Sequence, residues 1–420
     1  MSSRCPSSIP LVPILLAWSL TAGAQAAVPN PPPSVCVNGN CVSAPAPSTS
    51  TATGVKWHPG HYALSNQIVS ASNPNWTNVK AEIDQTLTQA NISGYMAIYL
   101  WNSIEPATAG SYVWTNIDQA RSYIATNYPG KRFAVQIWTE NFFGADPTAV
   151  LPTYITSNPA YGVGYNGTNY GYWQLANNGG ISAAWWRPAV RGRIQALFLA
   201  LATHPSPYLT GYTYDTDPYF EVVSWQESSL NLISTPPDYS ISAAQNQWEA
   251  IISGMVVSFP HTNVADLNNF LGYTGDSAVI TGNVEVADAS ARAAISSPDI
   301  FYGVSNYTWG QLAYIGSANG GTSGFTSQAG AAPYIAFVED GDWPVNGGPS
   351  GNTMGNMMAT ALNAVTNNGL QAAEAFWSIE PLGSGVAGDW TSTTLPAINA
   401  NPIPTLNQRC PTLYRSCNTQ

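Results

Sequence analysis

The chain of 420 residues carries 12 basic against 23 acidic residues, a formal charge of −11, a balance that argues against nucleic acid and anionic membrane surfaces as partners. Charged residues make up only 8% of the sequence, so each carboxylate within an apolar run is conspicuous. The 15 Trp and 22 Tyr point towards carbohydrate instead, because sugar C–H faces pack on aromatic rings.

The chain opens on a leader with one charge, Arg4, and a mostly apolar stretch over 9–20, broken by Pro10 and Pro13 and followed by Ala24-Gln25-Ala26. That is the pattern of a secretion signal. The apolar stretch is shorter than the ~20 residues a spanning helix needs. Residues 1–26 are therefore expected to be removed, leaving a secreted or periplasmic monomer. Residues 27–54 are rich in Pro, Ser and Thr and read as a linker or arm. This arm holds Cys36 and Cys41 around an Asn38-Gly39 turn, and a tail over 401–420 holds Cys410 and Cys417. Four cysteines allow three pairings, and exported chains favour disulfides. Two local bridges are expected, with a link between the termini as the alternative.

From residue 55 short apolar runs alternate with helical periodicity. Strands are expected at 55–57, 95–101, 132–138, 221–225, 264–268, 300–304, 334–338 and 372–377. Helices are expected at 76–90, 114–126, 183–202, 243–257 and 354–367, with weaker links around 286–297 and 308–315. Eight such alternations predict an α/β fold, a (β/α)8 TIM barrel forming a single catalytic domain over 55–400. An open doubly wound sheet is the competitor. It needs a Gly-rich phosphate loop after its first strand, where Trp57-His58-Pro59-Gly60-His61 stands instead.

Barrel active sites lie at the C-terminal ends of the strands. On this register the segments after the strands contribute Trp57, His58 and His61, then Trp101 and Glu105, then Trp138, Glu140 and Asn141. Gln226 and Glu227 follow the fourth strand, Glu339 the seventh, and Trp377 ends the eighth. Glu227 closes Val222-Val223-Ser224-Trp225-Gln226-Glu227, and Glu339 closes Ile335-Ala336-Phe337-Val338-Glu339. Cleaving a glycosidic bond needs one carboxylic acid to protonate the leaving oxygen and one carboxylate on the other side of the sugar. Mutual repulsion raises the pKa of one member of such a pair. Glu285 and Glu380 are rivals if the strand register is wrong, and Glu105 and Glu140 are candidate ligands for sugar hydroxyls. His58 and His61 fall short of the three or more ligands a metal site requires, so no metal and no cofactor is expected.

At these residues the chain resembles the retaining (β/α)8 glycoside hydrolases of clan A, over about 55–381. That clan carries its acid/base Glu at the end of strand four and its nucleophile at the end of strand seven. The resemblance assigns those roles to Glu227 and Glu339. It implies that Trp377 floors the sugar site and that Tyr302 or Tyr307 contacts the nucleophile. Gln226 departs from the pattern, since the clan places Asn before its acid. The expected function is a secreted retaining glycoside hydrolase acting on a polysaccharide or oligosaccharide. A non-catalytic carbohydrate-binding protein on the same scaffold is the alternative.

Overall fold

The computed structural model describes residues 34–37, 40–43 and 54–267, apart from gaps at 145, 165–166, 168, 177–178, 228–229 and 231. Beyond these it describes 293–297, 335–339, 372–378, 390–391, 395–402, 408–410 and 416–419.

Eight parallel strands close into a barrel. They are β1 Gly60–Val69, β2 Ile92–Leu100, β3 Arg132–Trp138, β4 Phe220–Glu227, β5 Asn263–Leu267, β6 Ala293–Ser297, β7 Ile335–Glu339 and β8 Ala372–Ser378. Each pairs with the next in chain order, and β8 closes the ring on β1. The expected (β/α)8 barrel is the fold found.

Four helices cover the first half of the ring: α1 Trp76–Leu87, α2 Thr115–Asn127, α3 Pro188–Thr203 and α4 Ile241–Ser258. Pro188 begins α3 at a position where the missing N–H is no loss. Ser240 caps α4, its hydroxyl accepting from the N–H of Ala243 at 3.1 Å. The expected helix at 354–367 lies outside the described residues.

Strand alternation sorts the core into two layers. Tyr62, Leu64, Met96, Ile98, Ala134, Val222 and Ala265 fill the barrel. Their outward neighbours, among them Tyr95, Ala97, Tyr99, Val135, Ile137, Val223 and Trp225, pack against the helices. β2 shows why the period matters: Met96 and Ile98 point in, while Tyr95, Ala97 and Tyr99 point out. Gly94 lets β2 approach β3 closely, since a Cβ there would lie 2.4 Å from the Arg132 carbonyl oxygen.

Two strands differ from the sequence expectation. The run at 55–57 is not a barrel strand: Val55–Lys56 pairs in parallel with Cys417–Asn418 beneath the barrel, and β1 begins at Gly60. β6 occupies Ala293–Ser297, within a stretch expected to be a helical link. The expected strand at 300–304 lies outside the described residues.

The closure beneath the barrel joins the 55–57 run to the tail of the chain. Trp57 belongs to the buried cluster on which Cys410 and Cys417 pack, and its Nε1–H donates to the carbonyl of Gln408 at 3.0 Å. Cys410 and Cys417 form a disulfide, as the local pairing predicts. In the arm, Ser34–Val37 and Asn40–Ser43 form the hairpin expected around Asn38-Gly39, with Cys36 register partner to Cys41.

Candidate active site

Parallel strands give the barrel two unlike ends, and the ends separate the sequence candidates. Glu227 is the last residue of β4 and Glu339 the last residue of β7. Both stand at the C-terminal rim, three strands apart around the ring. Glu339 is register partner to Trp377 on β8, and Glu227 to Leu267 on β5. Between Ser224 and Glu227 the β4–β5 register shifts by a bulge, a device that re-aims residues at barrel rims.

The first histidines and Trp57 belong to the other end. With β1 starting at Gly60, Trp57, His58 and His61 precede or open the strand and so lie at the N-terminal floor. His58 meets Glu221, the second residue of β4, through its backbone N–H at 3.0 Å and its Nδ1 at 2.7 Å. Burial works to raise the Glu221 pKa, but His58 first, then Arg132 and Lys56, hold it below the usual carboxyl range. The carboxylate can then only accept, so Nδ1 carries the proton. His61 donates from Nε2 to the Asn401 carbonyl at 2.7 Å, and burial lowers its pKa to about 4, leaving it neutral. The expected sugar-site role of these three residues is corrected to closure of the barrel floor.

Lys56 completes that floor. Its ammonium donates to the carbonyls of Asp215 and Asp217, both at 2.9 Å, and of Tyr214 at 3.3 Å. Burial lowers its pKa to about 8, against the pull of Asp215, Asp217 and Glu221.

Trp101 and Glu105 do follow β2 at the C-terminal rim, in and just after the short helix Trp101–Ile104, but they are consumed internally. Both are fully buried. The Glu105 carboxylate accepts from Trp101 Nε1 at 3.0 Å and from the Tyr154 hydroxyl at 2.7 Å. It also takes the Gly110 N–H and pairs with Arg193. A carboxylate with four donors braces the wall and has little left for a ligand, which corrects the expected substrate contact of this pair.

β3 and β4 bring the remaining described candidates together. Thr139, just past β3, gives both its backbone N–H (2.8 Å) and its hydroxyl to Gln226 Oε1. Trp138, half-buried, meets Phe142 edge-to-face at 6.4 Å between centroids. Glu140 and Asn141 begin the strand Glu140–Phe143, which pairs with Gly179–Ala183, itself paired with Tyr172–Gln174. This three-stranded antiparallel sheet belongs to the segment between β3 and α3. It is tied to the loop after β4 by the bridge Leu175–Leu232 and by the Ile233 N–H to Gln174 O bond at 3.0 Å. Trp185, Trp225 and Trp248 pack on one another between barrel and helices, so they are core. Tyr302, Tyr307, Glu285 and Glu380 lie outside the described residues.

No family model matches the sequence, and no curated protein does. Solved structures do. Endo-glycoceramidase II from Rhodococcus sp. superposes with a TM-score of 0.50 at 11% identity, over 84% of this chain and 81% of that one. The chain shares their barrel fold. The catalytic domain of a beta-amylase from Paenibacillus polymyxa aligns at 0.49 and 11% identity, over 77% of this chain and 93% of that one. An endo-1,4-beta-mannanase from Rhizomucor miehei aligns at 0.46 and 12%, over 84% and 99%. At such identities the likeness speaks for the fold alone.

Proposed function

We propose that the chain is a retaining glycoside hydrolase, with Glu227 as acid/base and Glu339 as nucleophile. The observation that carries this is their shared address, the last residues of β4 and β7 on one rim of a closed eight-stranded barrel. A fold does not fix a function, but this placement supports a reading in which the two residues provide the two carboxyl groups that glycosidic cleavage requires. Glu227 protonates the leaving oxygen while Glu339 attacks the anomeric carbon. Glu227 then takes a proton from water as the glycosyl-enzyme is hydrolysed.

Trp377, beside Glu339 in register, and half-buried Trp138 are the platforms proposed for sugar rings. The substrate is a polysaccharide or oligosaccharide, and the signal-like leader supports export.

Glu227→Gln and Glu339→Ala should each lower turnover by several orders of magnitude, with circular dichroism unchanged. Proton NMR of a fresh digest should show a first product that keeps the anomeric configuration of the bond cut. Near-normal turnover in either variant, or an inverted product, would contradict the proposal. Binding of glycans by the wild-type chain with no turnover would instead mark it as a carbohydrate-binding protein.

A further inference from the structure

Glu140 sits one residue past the contact in which Thr139 grips Gln226. Its side chain is fully buried, and neither carboxyl oxygen has a hydrogen-bond partner. Ser182, its register partner, gives its hydroxyl to the Ala183 carbonyl at 3.2 Å, yet lies close enough to the Glu140 carboxyl to lower its pKa without meeting it in hydrogen-bond geometry. Burial therefore pushes Glu140 well above the usual carboxyl range, with Ser182 opposing slightly. Burial thus favours the un-ionised form of this carboxyl.

Two other buried acids among the described residues, Glu105 and Asp217, differ in this. Glu105 accepts from four groups. Asp217 accepts from Arg121 twice, from the Ser206 hydroxyl and from the Tyr219 N–H. An unsatisfied buried polar group costs about 1–3 kcal/mol, and native structures keep few of them without a reason. Here the orphan has company. Gln226 Nε2, across the Thr139 contact, and Trp138 Nε1, two residues back, are also buried without partners. All three belong to the rim end of β3 and β4, the side on which the proposed acid/base Glu227 stands.

We propose that Glu140, with the Gln226 amide and the Trp138 indole N–H, forms a polar subsite that takes a hydroxyl group of a bound sugar. The inference rests on the glycosidase reading of this rim. In the un-ionised form that burial favours, the carboxyl both donates and accepts, matching a hydroxyl that does the same; ionised, it still accepts from one, and the amide and indole supply further donors. Shielded from bulk water, such hydrogen bonds are stronger than they would be on an exposed surface. An apolar ligand would leave all three groups as they are.

The test uses calorimetric binding of cellotetraose, mannotetraose and xylotetraose to the full-length Glu339→Ala chain, with and without substitutions at Glu140. Glu140→Leu should weaken the tetrasaccharide that binds by about tenfold or more, the equivalent of one buried hydrogen bond. Glu140→Gln should stay within about threefold, because an amide keeps a donor and an acceptor. Glu140→Ala repeats the truncation if leucine is too bulky to fold. The free Glu140→Leu chain should melt at or above the parent temperature, since an unsatisfied polar group has been removed. Unchanged binding in the truncated variants would overturn the subsite. A lowered melting temperature with unchanged affinity would do the same, because it marks a structural role. If none of the three sugars binds the parent chain, the glycosidase reading falls and takes this inference with it.

Discussion

His58 and Glu221 are locked together at the floor of the barrel, the histidine's backbone N–H and ring Nδ1 both held by one buried carboxylate at 3.0 and 2.7 Å. Removing one partner of a buried pair costs about 3–5 kcal/mol. Glu221→Gln should therefore lower stability by about that amount in chemical denaturation, while kcat of the folded fraction stays near wild type. The Glu221 pKa is depressed in the folded state. Its stabilisation is thus in place above the unfolded value and is lost as pH falls through the folded one. Wild-type melting temperature should drop in acid more steeply than that of Glu221→Gln.

Glu82 on α1 has the opposite sign. Burial raises its pKa to about 7, against the hydroxyl donors Ser65 and Tyr95. Between about pH 4.5 and 7 the folded chain keeps a proton that the unfolded chain has released, so stability falls as pH rises across that window. The cost above pH 7 is on the order of 3 kcal/mol. Glu82→Gln should flatten that decline in melting temperature measured from pH 4 to 8, and an unchanged slope would contradict the assignment.

Glu105 offers a contrast with the proposed catalytic pair. Its partners Arg193, Tyr154 and Trp101 make it a structural acid, so Glu105→Ala should destabilise by about 3–5 kcal/mol. KM of the surviving folded enzyme should be close to wild type. A raised KM with intact stability would return Glu105 to the substrate.

The disulfide between Cys410 and Cys417 spans a separation of 7 residues. A loop that short is worth about 2–3 kcal/mol in the chain-entropy account. Reduction should lower the melting temperature and expose Trp57, a member of the cluster on which both cysteines pack, giving a red-shifted tryptophan emission. A chain whose stability and emission ignore reductant would contradict the clasp.

What the sequence made legible follows from where each signal resides. β2, β3, β4, β7 and β8 are runs of Val, Ile, Phe, Tyr and Trp, and such runs announce buried strands locally. Their tips gave Glu227 and Glu339 addresses that the barrel keeps. β1 was hidden because Ser65, Asn66 and Gln67 interrupt it, while the more apolar Val55-Lys56-Trp57 nearby drew the assignment. That shift carried His58 and His61 to the wrong end of the barrel. β6 was hidden because Ala293-Ala294-Ile295-Ser296-Ser297 is built of small residues. The role of Glu105 depends on Arg193, 88 residues away, a tertiary partnership that no local pattern encodes. The exposed-looking aromatics of the β3–α3 insertion proved largely internal, since Trp173, Trp185 and Trp186 are all buried.

The most direct measurement of the central claim is covalent trapping of the intermediate. A 2-deoxy-2-fluoro glycoside of the preferred sugar slows breakdown of a glycosyl-enzyme, and digestion with mass spectrometry then locates the labelled residue. The account predicts one sugar on Glu339, formed slowly or not at all in Glu227→Gln unless the leaving group is good. A label on Glu380, on Glu285 or on no carboxylate of the chain would contradict it.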